Sequence, residues 1–203
     1  MSTYVLYGHP DSGHSFKARL ALVLLGLPHE YRRVDIFSAR DDRPEDFRRA
    51  SRFNEVPALI VDDRPLVQSD AILLHLAREH RALGWEVDPD RLTEWLFWEA
   101  NRIGISLPNW RYHTLFEPTL APETLAWLRG RLDADLDRLD AELADRPFLM
   151  GQGLSAADIA CSAYLNFADQ VALDLSPWPN VTAWLDRIRA LPGWEHPRDL
   201  MKG

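Results

Sequence analysis

Glu55-Val56-Pro57-Ala58-Leu59-Ile60 and Gln68-Ser69-Asp70-Ala71-Ile72 are the two segments of this 203-residue chain that decide its fold. The apolar residues after Pro57, a polar turn and the following Pro65-Leu66-Val67 predict a β-hairpin. A helical pattern then begins at Gln68-Ser69, so the amino terminus of a helix directly follows the second strand. The extended backbone before Pro57 and the amide groups at Ser69 are suited to hold the two ends of a small anionic peptide.

The residues upstream of the hairpin predict a strand, a helix and a second strand. Residues 4–7 are aromatic and β-branched, and the turn-forming residues 9–13 follow them. A helix begins near Ser15, which we expect to be its cap, and its apolar positions recur three and four residues apart as far as Leu27. Residues 31–36 predict the next strand, parallel to the first. Residues 1–80 therefore predict a four-stranded sheet with packed helices, the thioredoxin-like arrangement.

The rest of the chain predicts helices only. Residues 81–88 break the periodicity and indicate a linker, and residues 92–103 fit one long helix. Leucines three and four apart over residues 125–143 indicate another helix, and a capping box begins at Ser155. The predicted fold class is an α/β domain followed by an all-α domain. Its boundaries are residues 1–80 for the first domain, 81–88 for the linker and 89–203 for the second domain.

The charge is distributed unevenly along the chain. The net charge is −8, and residues 1–80 hold 11 basic and 12 acidic side chains, so nearly all of the excess lies in the second part. This balance argues against a nucleic-acid partner, and an anionic ligand would prefer the nearly neutral first part.

Cysteine usage and targeting signals narrow the class of protein further. The only cysteine is Cys161, so an internal disulfide and a Cys-x-x-Cys redox pair are both excluded, and we expect it to be a buried structural thiol. The sequence has no signal-peptide pattern and no apolar run near the ~20 residues of a membrane span. The histidines at 75, 80, 113 and 196 show no metal-ligand spacing. We expect a soluble cytoplasmic protein without a membrane partner, a metal or a covalently bound cofactor.

The order and spacing of several short motifs resemble the cytosolic glutathione transferase family over essentially the whole chain. The motifs that carry this resemblance are Leu6-Tyr7-Gly8-His9-Pro10 through Ser12, Leu24 to Pro28, Glu55-Val56-Pro57, Gln68 to Ile72, the box from Ser155 to Asp158, and Leu191-Pro192-Gly193-Trp194. The resemblance implies glutathione as co-substrate.

The resemblance also implies roles for individual residues at the glutathione site. In the family the proline at the position of Pro57 is cis, and the residue before it, here Val56, offers its N–H and C=O groups to the cysteinyl unit. Ser69 and the free N–H groups of its helix would hold the γ-glutamyl carboxylate, and Gln68 would face the γ-glutamyl amine. Asp70 would assist there, or serve the helix dipole instead.

Two residues are candidates for the activation of the glutathione thiol. Ser12 falls where theta- and phi-like members keep a catalytic serine, and its hydroxyl would donate a hydrogen bond to the thiolate. His14 falls where beta-like members keep a cysteine and nu-like members an asparagine. Because His14 lies near a helix amino terminus, we expect a neutral imidazole that acts as a donor.

The sequence departs from the family in the loop before Glu55, where Ser51-Arg52-Phe53-Asn54 replaces the frequent Asn-Pro-x-Gly motif. This change leaves open whether Arg40, Arg43 or Arg52 meets the glycyl carboxylate of glutathione. In the second domain, the aromatic residues Trp110, Tyr112 and His113 are candidates for an apolar second-substrate pocket, and a core or dimer-interface role is an equal alternative.

The resemblance implies a homodimeric transferase of detoxification type, in which the glutathione thiolate attacks a small apolar electrophile. Glutathione-dependent reduction of peroxides or disulfides uses the same site and is the alternative activity. A third hypothesis is a non-catalytic binding module, which the changed loop over residues 51–54 favours.

Overall fold

The computed structural model describes residues 2–202. A four-stranded mixed sheet lies at the centre of the first part of the chain, with the order β2-β1-β3-β4. The strands are β1 (Tyr4–Gly8), β2 (Glu30–Arg33), β3 (Ala58–Val61) and β4 (Arg64–Val67). Strand β2 pairs with β1 in parallel, whereas the β1–β3 and β3–β4 pairs are antiparallel. The predicted strand-helix-strand unit and the predicted hairpin are both confirmed.

Within the described residues, four α-helices belong to the same part of the fold as the sheet: α1 (Gly13–Leu24), α2 (Glu45–Ala50), α3 (Ser69–Glu79) and α9 (Pro197–Leu200). A short 3-10 helix over Arg40–Asp42 lies there too. Helix α1 connects β1 to β2, and α3 follows β4 without a loop. The apolar side chains of α3, including Ile72, Leu73 and Leu76, are fully buried. The predicted thioredoxin-like arrangement is therefore confirmed.

The second part of the chain contains five α-helices in the described range: α4 (Pro89–Asn101), α5 (Ile103–Leu115), α6 (Pro122–Glu142), α7 (Ala156–Ser162) and α8 (Pro179–Arg189). A 3-10 helix over Tyr164–Val171 lies between α7 and α8. The leucine stripe of α6 faces inward, since Leu128, Leu132, Leu136 and Leu139 are all buried. The predicted all-helical second domain agrees with this arrangement.

The chain divides into two compact units, and the division differs from the predicted boundaries at both ends of the second domain. Unit one combines the residues up to His80 with those from Pro192 onward, and unit two is Arg81–Leu191. The last segment returns to α1, where the Arg19 guanidinium donates a hydrogen bond to the Lys202 carbonyl at 3.2 Å. Residues 81–88 join unit two, because the Ala156 N–H donates to the Leu83 carbonyl at 2.9 Å.

The predicted long helix over residues 92–103 is wrong, because it ends at Asn101 and a new helix begins at Ile103. Arg102 between them has φ −121° and ψ −100°. The two helices approach closely where Glu99 faces Gly104, since a Cβ atom on Gly104 would lie 2.8 Å from the backbone carbonyl oxygen of Glu99. Glycine is thus required at this position for the helices to meet.

The predicted capping box at the start of α7 is confirmed. Ser155 accepts a hydrogen bond from the Asp158 N–H, while the Asp158 carboxylate accepts from the Ser155 N–H. The fully buried carboxylate also accepts from the Leu149 N–H and from Trp184 Nε1, each at 2.8 Å. Cys161 lies in the same helix and is 1% exposed, as expected for a structural thiol.

Two features are absent from residues 2–202. No helix in that range combines the length and apolar character that crossing a membrane requires. No group of three or more His, Cys, Asp and Glu side chains there is arranged to hold a metal ion.

Candidate functional site

The first element of the candidate site is the amino terminus of α1, which Ser12 caps. Ser12 has an extended backbone conformation, and its side chain accepts a hydrogen bond from the Ser15 N–H at 3.1 Å. The prediction that Ser15 is the cap is therefore wrong. Ser15 lies one turn later and is fully buried, and its hydroxyl accepts from the His9 N–H at 3.2 Å.

The Ser12 hydroxyl keeps its proton available for a further hydrogen bond. Its oxygen uses one acceptor position for the helix cap, and a hydroxyl group has one donor in addition to two acceptor positions. Within the described range, no acceptor for that proton lies at hydrogen-bond distance. Ser12 is only 6% exposed. A thiolate placed at this helix end would supply the missing acceptor.

The second element is the amino terminus of α3. The first backbone hydrogen bond of this helix joins the Ile72 N–H to the Gln68 carbonyl at 3.0 Å, and no side chain caps the helix. The N–H groups of the first three helical residues, Ser69 to Ala71, thus have no partner within the helix. Gln68 has a φ of 71°, a left-handed conformation that residues other than glycine rarely adopt. This helix end is suited to an anion.

The side chains of His14 and Ser69 connect the two helix ends. His14 Nδ1 lies 3.5 Å from Ser69 Oγ. The pKa of His14 is lowered from 6.5 to about 3, mainly by burial and also by the Lys17 charge, while Asp70 acts in the opposite direction. His14 is therefore neutral near pH 7, as predicted, and one of its ring nitrogens carries a proton.

Lys17 is a residue of this site that the sequence reasoning missed. Its side chain is fully buried, and its ammonium group lies 3.0 Å from Asp70 Oδ1 in the first turn of α3. The spacing of three residues from His14 is the signal that places both side chains on one face of α1. Asp70 is thus held by Lys17, whereas the sequence assigned it to the ligand or to the helix dipole.

The third element is the loop that leads into β3. The Val56–Pro57 peptide bond is cis, as the family resemblance implied, and Pro57 is buried while Val56 is partly exposed. The changed loop before it is well organised by Ser51, whose hydroxyl donates to the Glu55 carbonyl at 2.8 Å and accepts from the Glu55 N–H at 3.0 Å.

The three arginines that are candidates for the glycyl carboxylate have different partners in the structure. Arg43 donates hydrogen bonds to the carbonyls of Asn54 and Ile36, so its guanidinium holds the loops together. Arg52 lies over the Phe53 ring at 4.7 Å. Arg40 is exposed, and its Nη2 atom lies 3.7 Å from the Glu55 carboxylate. Arg40 and Arg52 are thus both exposed, whereas Arg43 is half-buried.

The aromatic candidates of the second unit do not form one cluster. Tyr112 and His113 contact each other with ring centroids 5.1 Å apart, and His113 Nδ1 lies 2.9 Å from the Glu117 carbonyl. Trp110 instead packs against Arg129 of α6, whose Cζ atom lies 5.4 Å from the centroid of the Trp110 ring. Two positions along a helix turn by ~200°, so Trp110 and Tyr112 occupy different faces of α5.

Comparisons with known families matched both parts of the chain. The description "Glutathione S-transferase, N-terminal domain" matches residues 6–83, and "Glutathione S-transferase, C-terminal domain" matches residues 115–187. Disulfide-bond oxidoreductase YfcG of Escherichia coli is 33% identical over 202 residues, which cover 92% of this chain and 90% of that protein.

Solved structures gave the same result. A glutathione S-transferase from Pseudomonas fluorescens superimposes with a TM-score of 0.87 at 32% identity and covers 98% of this chain and 100% of that chain. A structure described as Ure2p in complex with glutathione has a TM-score of 0.85, covers 95% of this chain and 92% of that chain, and is 21% identical, so it shows similarity of fold alone.

Proposed function

Since the chain belongs to the glutathione S-transferase family, we propose that it is a glutathione-dependent enzyme whose unit-one site binds glutathione and activates its thiol. The backbone of Val56 before Pro57 pairs with the cysteinyl unit. The free amides at Ser69 receive the γ-glutamyl carboxylate, and Gln68 faces the γ-glutamyl amine. Arg40 and Arg52 are the candidates for the glycyl carboxylate, because Arg43 already donates to two backbone carbonyls.

The main support for this proposal is that the Ser12 hydroxyl proton has no acceptor within the described part of the chain. A free thiol has a pKa near 8.5, so a thiolate at neutral pH requires stabilisation of about 2.7 kcal/mol for a shift of about two units. A hydrogen bond to a charged acceptor contributes ~1.5–3 kcal/mol, and the amino terminus of α1 adds to it. Ser12 therefore serves as the donor to the thiolate. His14 lines the site between Ser12 and Ser69.

We propose transfer to carbon as the main reaction. The thiolate attacks an electrophilic carbon of a small apolar compound, a carbon–sulfur bond forms, and the leaving group departs with its electron pair. For this second substrate Tyr112 and His113 remain candidates, together with Trp110. A homodimer, a cytoplasmic location and a role in detoxification remain predictions from the family resemblance.

Disulfide reduction is the second candidate function, and the identity to a disulfide-bond oxidoreductase favours it. In this reaction the glutathione thiolate attacks one sulfur of a disulfide, and the other sulfur leaves as a thiolate. A second glutathione then releases the first as glutathione disulfide. The reaction needs no cysteine of the protein, which is consistent with a buried Cys161.

Titration calorimetry with glutathione tests the proposal. A dissociation constant in or below the low-millimolar range is expected, whereas no binding at several millimolar would refute it and favour a non-catalytic module. Parallel assays with an activated aryl halide and with 2-hydroxyethyl disulfide then decide between the two reactions. The faster turnover identifies the reaction class.

A further inference from the structure

Lysine is rare in this chain, and its placement is unusual. Only two of the 23 basic side chains counted as Lys and Arg are lysines, Lys17 and Lys202. Lys202 pairs with Asp199 on the surface, whereas the Lys17 side chain is fully buried. Burial of an ammonium group is unfavourable unless a partner compensates for the lost hydration. A buried lysine beside the glutathione site therefore has a specific electrostatic task or a purely structural one.

We name four neighbouring side chains the helix-end cluster: His14 and Lys17 of α1, and Ser69 and Asp70 of α3. Lys17 Nζ lies 3.0 Å from Asp70 Oδ1, and the Ser69 hydroxyl lies 3.4 Å from the same carboxylate oxygen. Ser69 Oγ is in turn 3.5 Å from His14 Nδ1. The cluster thus joins the first turns of both helices.

The carboxylate of Asp70 poses a problem for an anion site at the start of α3. Asp70 is the second residue of the helix, so its charge stands beside the amides that would receive the γ-glutamyl carboxylate. Two carboxylates a few ångströms apart repel each other, and this repulsion is strong where water is largely excluded. Asp70 is only 16% exposed in its side chain. The site therefore needs a positive charge that neutralises Asp70.

We propose that Lys17 is a positioning residue for glutathione that acts through Asp70: it neutralises this carboxylate and thereby keeps the α3 amino terminus open to the γ-glutamyl carboxylate. The inference rests on the proposed function. Lys17 does not touch the ligand in this arrangement. The field of its ammonium group reaches the neighbouring site, because it contributes to the lowered pKa of His14.

The two members of the ion pair should therefore differ in their effects on binding. Lys17→Met removes the charge at similar volume and leaves the Asp70 carboxylate uncompensated, so we expect glutathione to bind about tenfold more weakly. Asp70→Asn removes the repelling charge, so affinity should change by less than about threefold. The double variant Lys17→Met/Asp70→Asn should recover to within about threefold of the unaltered protein, because both charges are absent.

The test is titration calorimetry of the full chain with glutathione and with 4-aminobutyryl-Cys-Gly, which lacks the γ-glutamyl carboxylate. The loss in Lys17→Met should appear for glutathione and be absent for the analogue. Lys202→Met is the matched control, since it removes the exposed lysine, and it should bind both peptides normally. Thermal unfolding of each variant identifies the fraction that is folded.

The possible outcomes separate the inference from the proposed function. Equal losses of affinity in Lys17→Met, Asp70→Asn and the double variant would refute the inference and indicate that the pair only holds the helices together. If Lys17→Met does not fold, weaker glutathione binding by Asp70→Asn alone would refute it, because Asp70 would then assist the ligand directly. Absence of glutathione binding by the unaltered protein would refute the proposed function and this inference with it.

Discussion

His14 Nδ1 of α1 lies 3.5 Å from Ser69 Oγ of α3, although 55 positions of sequence separate the two residues. Each residue stands in the first turn of its helix. The contact therefore brings together two helix amino termini, and both ends attract negative charge. A ligand with a thiolate and a carboxylate several bonds apart, such as glutathione, matches this arrangement.

The neutral state of His14 predicts a loss of stability in acid. Its pKa falls from 6.5 to about 3 on folding, mainly because of burial. Between these values the unfolded chain binds a proton that the folded chain does not, so the free energy of unfolding decreases as the pH falls. The contribution is about 1.4 kcal/mol per pH unit and reaches about 2 kcal/mol at pH 5.

Replacement of the imidazole tests this assignment. Urea denaturation at pH 7 and pH 5 should show a smaller loss of stability for His14→Asn than for the unaltered protein, by about 2 kcal/mol. Parallel losses in the two proteins would contradict the lowered pKa, because they would show that His14 has the same pKa in the folded and unfolded states.

Removal of the Ser12 hydroxyl should raise the pKa of the bound glutathione thiol. The hydroxyl stabilises the thiolate, so without it the acid limb of the kcat/KM profile moves up by about one to two pH units, and turnover near neutral pH falls ~10–100-fold. Ser12→Gly is the better variant, because glycine still serves as an acceptable helix cap, whereas Ser12→Ala loses about 1 kcal/mol of stability as well.

His14→Asn serves as the comparison for this pH profile. We expect this variant to shift the acid limb by less than about 0.3 pH units, because a neutral hydrogen-bond donor remains at position 14. If the limb moves in His14→Asn and stays in place in Ser12→Gly, the assignment of the thiolate donor is wrong.

Asp158 should be among the most sensitive positions for the stability of unit two. Burial raises the pKa of its carboxyl group, while four hydrogen-bond donors favour the ionised form. Asp158→Ala leaves all four donors without an acceptor and should lower the free energy of unfolding by about 3–5 kcal/mol. Asp88→Ala is the matched control. Asp88 caps α4 at the surface with one bond of 3.0 Å, so its loss should amount to about 1 kcal/mol.

The sequence predicted the parts of the fold that depend on near neighbours. The hairpin, the capping box at Ser155 and the leucine stripe of α6 all follow from residue types a few positions apart, and all three are present. The choice between Ser12 and Ser15 as helix cap was not decidable, because both are good caps that precede an apolar pattern. Only the backbone geometry at Ser12 distinguishes them.

The sequence did not predict the contacts that join distant elements. Lys17 and Asp70 are 53 positions apart, and a lone lysine in a helix usually indicates a solvated face. The last segment returns to α1, where Arg19 donates to the Lys202 carbonyl, and no local pattern predicts this contact. The break at Arg102 likewise depends on the approach of Glu99 to Gly104, which only the packed helices reveal.

The backbone of Gln68 predicts a conflict between stability and binding. Its φ of 71° favours glycine, and left-handed conformations of other residues are unfavourable by ~1 kcal/mol or more. Among residues 2–202, its side chain makes one weak hydrogen bond, in which Nε2 donates to the Glu55 carboxylate at 3.5 Å. The side chain is therefore retained at this position despite a strained backbone, which fits a role toward the γ-glutamyl amine.

Two variants separate the backbone from the side chain of Gln68. Gln68→Gly should raise the free energy of unfolding by about 1 kcal/mol and weaken glutathione binding about tenfold. Gln68→Ala removes the same contact to glutathione but keeps a Cβ atom in the unfavourable conformation, so it should weaken binding equally without a gain in stability. Denaturation and titration calorimetry measure both quantities. Full glutathione affinity in Gln68→Gly would show that the side chain has no role in binding, and the unfavourable backbone would then need another explanation.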